Sequence, residues 1–311
     1  MPDAHAWILS EPYAGLQAQA IGLAEAAGLR HEVRTLAPRA PWRWIAPRLW
    51  PAPLSVVPDA VRGSLPAVAI GAGGKGAAVI AALRRRGVPA VQVQHPRMDP
   101  RRFDLVVVNR HDGLTGPNVL VTRTALHRVT PEHLAEAAGV WRARLAGLPR
   151  PLVAVLVGGS NGRHRLDQPV GEALAGQLAE MMRLDRVGLM LTPSRRTDPA
   201  VTRVLRERLG PLGAWVWDGA GENPYYGMLA LADVIVATED SVSMVSEAVA
   251  TAAPVLLVGL PGRSRRIDLF HRGLLDEGRV RRFAGRCEVW PTAPLNDTPA
   301  AAAELLRRIR L

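Results

Sequence analysis

The run Leu152-Val153-Ala154-Val155-Leu156-Val157 has no polar position in it. A strand wetted on one face alternates apolar and polar residues, whereas an unbroken apolar run is covered on both faces. Covering both faces of a strand takes two layers of helices, the arrangement of a parallel sheet with helical crossovers. Shorter strand-like runs recur at Ala6–Leu9, Ala67–Ile70, Val91–Val93, Phe103–Val108, Gly188–Leu191, Ala214–Trp217, Val234–Ala237 and Val255–Val258. Between them, helical spacing marks Leu16–Ala27, Ala77–Arg86, Thr130–Leu145, Val170–Met182, Met228–Ala232, Ile267–Leu275 and Pro299–Leu311. A chain of 311 residues, 48% hydrophobic and 22% charged, can fill two ordinary cores. The expected fold class is α/β, with two Rossmann-like domains facing a cleft. Gly147-Leu148-Pro149-Arg150-Pro151 reads as the linker, dividing the chain into 1–149 and 150–311.

Open α/β sheets bind ligands beyond the carboxyl ends of their strands, so the residues after each run are the site candidates. Glu11, Tyr13 and Gln17 follow the first run; each is also compatible with an ordinary surface position. Gly71-Ala72-Gly73-Gly74-Lys75-Gly76 follows another and carries the only lysine of the chain. Ala77 stands where a P-loop requires Ser or Thr, which excludes that motif. His95 and Arg97 follow a third run, and His111 and Asp112 a fourth. Histidine titrates near neutrality, so His111 or His95 is a candidate general base, with Asp112 as orienter and Glu11 as the alternative base.

In the second half, Gly158, Gly159 and Ser160 directly follow the Leu152–Val157 run, where glycine lets a backbone approach a diphosphate closely. Ser194, Arg195 and Arg196 follow the next run and suit a phosphate clamp. Asn223 and Tyr225 lie in a loop before the Met228–Ala232 stretch. Val234–Ala237 runs into Glu239-Asp240-Ser241-Val242-Ser243, a polar turn with cap chemistry that opens a helix. Such a helix start offers free N–H groups and a positive dipole end to a phosphate. Glu247 lies on the same helix face as Ser243 and could accept from two ribose hydroxyls; a solvated Glu on a capped helix is the other reading.

The glycine turn at Gly158 and the Ser-x-x-x-Glu helix at Ser243–Glu247 together resemble the C-terminal nucleotide-sugar-binding domain of GT-B glycosyltransferases, such as the lipid-intermediate GlcNAc transferase of peptidoglycan synthesis. That resemblance implies a diphosphate at Gly158, Gly159, Ser160, Ser241 and Ser243, ribose at Glu247, and a base near Asn223 and Tyr225. A second resemblance covers nearly the whole chain. Gln94-His95-Pro96-Arg97, Asn109–Leu114, Gly116–Leu120, Thr192–Thr197, Glu222–Tyr226 and Thr238–Met244 are similar to the bacterial set related to the plant "elongated mitochondria" fission proteins. Plant members recruit a dynamin-type GTPase, a role with no direct counterpart in a cell without mitochondria, which leaves the GT-B likeness as the better guide to chemistry.

The resulting expectation is a GT-B-type transferase using a nucleotide-diphosphate sugar as donor on a lipid-linked or envelope acceptor, with no metal and no separate cofactor. A nucleotide-sugar epimerase and a non-enzymatic membrane scaffold are the alternatives. Net charge is +11, and the basic residues are almost all Arg, in keeping with a GC-rich genome as much as with a polyanionic partner. No nucleic-acid-binding motif or zinc spacing occurs, so nucleic acid is not expected as a partner. The single Cys287 reads as a small apolar filler in a reducing compartment. No signal peptide or long apolar span is visible, which points to a cytoplasmic protein. Residues 38–54 place Trp42, Trp44 and Trp50 among Arg39, Arg43 and Arg48, with prolines that preclude a long helix. This composition suits docking on an anionic membrane at the inner face of the cytoplasmic membrane, or a loop folded onto its own domain.

Overall fold

The computed structural model describes residues 5–309. These divide into two compact units, one formed by residues up to Arg128 together with the segment from Asn296, the other by Val129–Leu295.

The first unit contains β1 (His5–Ser10), α1 (Ala14–Ala26), β2 (Arg30–Thr35), α2 (Pro53–Val56), β3 (Val68–Ala72), α3 (Gly73–Arg84), β4 (Ala90–Val93), β5 (Leu105–Asn109) and β6 (Val119–Thr122). Its sheet is parallel throughout, in the order β2-β1-β3-β4-β5-β6. Alternate residues of β1 serve opposite cores: Ala6 and Ile8 pack on one face, Trp7 and Leu9 on the other. This is the two-sided burial that apolar runs require, each buried aliphatic side chain contributing roughly 1.5–3 kcal/mol.

The second unit contains α4 (Pro131–Leu145), β7 (Leu152–Val157), α5 (Gln168–Asp185), β8 (Gly188–Pro193), α6 (Pro199–Leu209), β9 (Trp215–Val216), α7 (Tyr225–Leu231), β10 (Val234–Thr238), α8 (Val242–Val249), β11 (Val255–Val258), α9 (Arg265–Asp276) and β12 (Val280–Arg282). Its parallel order is β12-β11-β10-β7-β8-β9. Val153, Val155 and Val157 of β7 enter one core, and Leu152, Ala154 and Leu156 the other. Both sheets are therefore the doubly wound parallel kind expected from the sequence. The closing helix α10 (Thr298–Arg308) returns to the first unit, where Ala301, Ala302 and Leu305 join Ala20, Leu23 and Ala24 of α1 in one core. The last two residues of the expected helix lie outside the described residues.

The units divide at Arg128–Val129, upstream of the expected linker. Arg128 forks onto Glu25 at 2.7 and 2.9 Å in the first unit, whereas Val129 lies in a second-unit core. Helix α4, with Thr130 capping its start, packs on α7, and its Trp141 is buried against Gly227. The Gly147–Pro151 stretch is tied to the same unit, since Arg150 donates to Asp233 at 2.7 Å and to the Leu231 carbonyl at 3.1 Å.

A Cβ at Gly227 would overlap the Trp141 ring. Gly227→Ala is therefore expected to destabilise the second unit by about 1–3 kcal/mol through overpacking, read as a lower urea midpoint. A paired Trp141→Leu substitution should restore part of that loss.

Candidate functional site

In the second unit the strand order reverses between β7 and β10, so the crevice at the switch point lies between the turn after β7 and the turn after β10. Thr238, the last residue of β10, accepts the Gly158 N–H at 2.8 Å and donates its hydroxyl to Asp240 at 2.7 Å. The Asp240 carboxylate is fully buried and also accepts from the Gly159 N–H at 3.1 Å and from Arg196 Nη2 at 2.9 Å. The turns after β7, β8 and β10 thus meet on one carboxylate. A Cβ on Gly158 would overlap that carboxylate, and one on Gly159 would overlap the Arg196 backbone.

The glycine turn is held from within the protein. The Gly158 and Gly159 amides are spent on Thr238 and Asp240, and the glycines are required by the close approach of protein groups. Ser160 is exposed and its hydroxyl accepts the Leu166 N–H at 2.8 Å. The Ser194 hydroxyl accepts from the Arg196 N–H at 3.2 Å and so serves its own turn. Arg196 is committed to Asp240, while Arg195 is exposed with no ion pair among the described residues. Asp240 itself, expected only as turn chemistry, is the group that the sequence reading missed.

Helix α8 starts at the same edge. Ser241 is its cap and accepts the Met244 N–H at 3.3 Å, with Ser243 in the first turn. Glu239 is not a cap: its carboxylate accepts the Leu260 N–H at 2.8 Å and Arg282 Nη1 at 2.5 Å. On α8, Glu247 is half-buried and accepts a hydrogen bond from the Tyr225 hydroxyl at 2.6 Å. Burial pushes the Glu247 carboxyl up to about 7, against a smaller opposing effect of the tyrosine hydrogen bond. The Tyr225 phenol is pushed up, first by burial and then by the adjacent carboxylate. Helix α7 begins at Tyr225, earlier than the expected Met228, and Asn223 fixes that start by accepting the Tyr225 N–H at 3.0 Å. The structure therefore gathers Ser241, Ser243, Glu247 and Tyr225 around α8.

At the other end of α8, Arg279 is 6% exposed and donates to the Val249, Thr251 and Ala253 carbonyls at 2.7–3.2 Å. A cation there matches the negative end of the helix dipole and fixes the helix whose start forms the site.

In the first unit the strand order reverses between β1 and β3. Glu11, after β1, meets Lys75, in the first turn of α3, at 2.7 Å, so this ion pair spans that switch point. His95 lies beyond β4, and its Nδ1 accepts the Arg97 N–H at 2.9 Å. The flanking Gln94 and Arg97 have φ of 69° and 57°, a left-handed backbone uncommon for such residues. Beyond β5, the His111 Nε2 lies 3.9 Å from one oxygen of Asp112, whose other oxygen accepts the Asn109 N–H at 3.2 Å. All four candidates occupy the carboxyl edge of one sheet, with only Glu11 at the switch point. Among the described residues no group of three His, Cys, Asp or Glu side chains is placed to hold a metal ion.

Residues 14–309 match the family model described as Mitochondrial fission ELM1. The chain belongs to this family. It is 33% identical to the Arabidopsis thaliana mitochondrial fission protein ELM1 over 274 residues, 78% of the present chain. It spans 64% of the plant protein, less than two thirds of its length. In three dimensions this ELM1-family chain is similar to the Acinetobacter baumannii MurG (TM-score 0.52, 15% identity, covering 98% of this chain and 90% of that one). It is also similar to the Methanocaldococcus jannaschii UDP-GlcNAc 2-epimerase, solved with UDP-GlcNAc and UDP (TM-score 0.59, 11% identity, covering 97% and 98%). At these identities the likeness establishes a fold of the GT-B kind.

Because burial raises Glu247 from 4.5 to about 7, the folded state favours its protonated form. Its stabilising contribution is present below the unfolded value and is lost as pH rises through about 7. Unfolding free energy of the wild type relative to Glu247→Gln should fall by on the order of 2 kcal/mol between those limits. Parallel pH profiles for the two proteins would place Glu247 in ordinary solvent.

Proposed function

We propose that this ELM1-family chain binds a nucleotide-diphosphate sugar on its second unit and transfers the sugar to a hydroxyl acceptor as a GT-B-type glycosyltransferase. The observation that carries this reading is the Tyr225–Glu247 pair on α8, the helix whose start lies at a parallel-sheet switch point. Glu247 keeps an oxygen beside the one that accepts from Tyr225 to meet ribose hydroxyls, and the first turn of the same helix supplies N–H donors for phosphate oxygens. Two similar structures hold such a ligand, UDP-glucose in Medicago truncatula UGT71G1 and UDP-GlcNAc in the archaeal epimerase.

In this reading the charge growing on the leaving diphosphate is stabilised by the α8 dipole and by arginines, a route that uses no metal. We assign acceptor activation to the carboxyl edge of the first sheet. His111 with Asp112, His95, and Glu11 with Lys75 are the available bases. Epimerisation of the sugar is the second reading, supported by the TM-score of 0.59 to the archaeal epimerase. The two diverge in product: a transferase releases free nucleotide when acceptor is supplied, whereas an epimerase returns an isomeric nucleotide sugar.

The test is a melting-shift screen against a panel of nucleotide sugars, followed by calorimetry on the best ligand. Glu247→Ala should weaken binding by about 1.5–3 kcal/mol. Replacing the true base should slow turnover by about 10²–10⁴ while donor affinity holds. No shift with any nucleotide sugar, or unchanged affinity in a folded Glu247→Ala protein, would overturn the nucleotide site.

The Pro38–Leu54 stretch bears on the acceptor. Trp50 is 5% exposed and donates to the Trp42 and Ile45 carbonyls at 3.2 and 3.1 Å, so it belongs to the core and not to the expected anchor. Trp42 is half-buried. Trp44 is 69% exposed with the Arg43 guanidinium stacked 3.9 Å from its ring centre, and Leu49 is 64% exposed beside Arg48. We propose that this exposed Trp-Leu-Arg patch docks the protein on an anionic membrane carrying a lipid-linked acceptor, from the cytoplasmic side. Among the described residues no helix is long and apolar enough to cross a membrane. Ring insertion at headgroup depth and about 1 kcal/mol per nearby arginine supply the attachment. Wild type should float with anionic liposomes, less so at high salt, and a Trp44→Ser, Leu49→Ser variant should stay behind. Equal flotation of both would remove the patch from the attachment.

A further inference from the structure

Two turns of the second unit meet at the carboxyl edge of β7 and β11 and form an open depression lined by residues 161–165 with Pro261 and Gly262. The depression is built by backbone. Arg165 N–H donates to the Pro261 carbonyl at 2.8 Å, and Arg263 N–H to the Arg163 carbonyl at 3.1 Å. Asn161 organises the first turn, its Oδ1 accepting the N–H groups of Arg163 and His164 at 2.8 and 2.9 Å. Its Nδ2 donates to the Asp240 carbonyl at 3.2 Å, which joins this turn to the residue on which the site is built. Gly262, at φ +134°, lies so close to the Arg163 carbonyl that no side chain fits.

Arg163, His164 and Arg165 line the depression, and Arg263 is the next residue after Gly262 on the second turn. His164 is 3% exposed and its Nδ1 has no partner within the protein. Leaving a buried ring nitrogen unpaired is costly to the fold. The side chains of Arg163 and Arg263 form no ion pair among the described residues; only Arg165 has a carboxylate nearby, Asp167 at 3.3 Å. The amides of Ser160 and Gly162 find no acceptor there either, in contrast to those of Gly158 and Gly159. Two unpaired guanidinium groups and an N–H-bearing turn match a group with several anionic oxygens.

We propose that this depression, and not the Gly158–Gly159 turn, is the diphosphate subsite, with Arg163 and Arg263 as its cations and His164 in its wall. Assigning the diphosphate to a nucleotide rests on the reading of α8 given above; the anion subsite itself does not. The experiment is calorimetry of the full chain with UDP, uridine and inorganic pyrophosphate, on wild type and on an Arg163→Gln, Arg263→Gln variant. Both substitutions are at exposed positions, and circular dichroism of the variant is the folding control. The expected result is a loss of about tenfold or more in affinity for UDP and for pyrophosphate, with uridine unaffected. Unchanged UDP and pyrophosphate affinities in the folded variant would overturn the subsite. If wild type binds pyrophosphate in an arginine-dependent manner but gains nothing from the nucleoside, the subsite stands and the nucleotide reading falls. If wild type binds neither UDP nor pyrophosphate, both are overturned.

Discussion

The arrangement of the second unit depends on the buried carboxylate of Asp240. It accepts from a hydroxyl at the end of β10, a backbone N–H of the turn after β7 and a guanidinium of the turn after β8. A carboxylate removed from water is tolerated only when its oxygens are filled in this way, so the three turns are held as a set. The glycines at 158 and 159 follow from that requirement, because the carboxylate and the Arg196 backbone occupy the space where side chains would begin. Asn161, donating to the Asp240 carbonyl, extends the same scaffold into the neighbouring turn.

Around this scaffold the chemistry is separated by distance from Asp240. The groups nearest it are consumed by structure, and the open groups lie one turn further out, on α8 and on the Arg163 and Arg263 turns. Helix α8 is fixed at both ends, by the Ser241 cap at its start and by the buried Arg279 guanidinium on the Val249 carbonyl at its end. A helix held in this way keeps Glu247 at constant distance from the helix start, as a site for a nucleotide's ribose and phosphates requires. The first unit uses a different device at its own switch point, a direct Glu11–Lys75 ion pair across β1 and β3. That pair joins the only lysine of the chain to the residue expected there as an alternative base.

Much of this was legible in the sequence because two-sided burial leaves no polar residue in a central strand. β7, β10 and β11 declare themselves in that way. β2 does not: Arg30-His31-Glu32-Val33-Arg34-Thr35 is an edge strand paired with β1 alone, and none of its residues is buried. The short edge strand β12 was hidden for the same reason. The glycine turn was visible, but the sequence does not say whether glycine makes room for a ligand or for a protein group; only the position of Asp240 decides that. The Tyr225 partner of Glu247 lies on a separate helix, so no local pattern pairs them. Helix α4 was legible from its Thr130 cap, whereas its membership of the second unit depends on the long-range contact of Trp141 with Gly227. Likewise, Trp44 and Trp50 are indistinguishable by composition, and only the fold separates an exposed ring from a core one.

The central claim is that α8 and the turns beside it receive a nucleotide diphosphate. A crystal structure of the chain grown with UDP measures this directly. The account predicts density at the carboxyl edge between β7 and β10, with both ribose hydroxyls within about 3 Å of the Glu247 carboxylate. UDP bound elsewhere on the protein, or ribose hydroxyls turned away from Glu247, would contradict it.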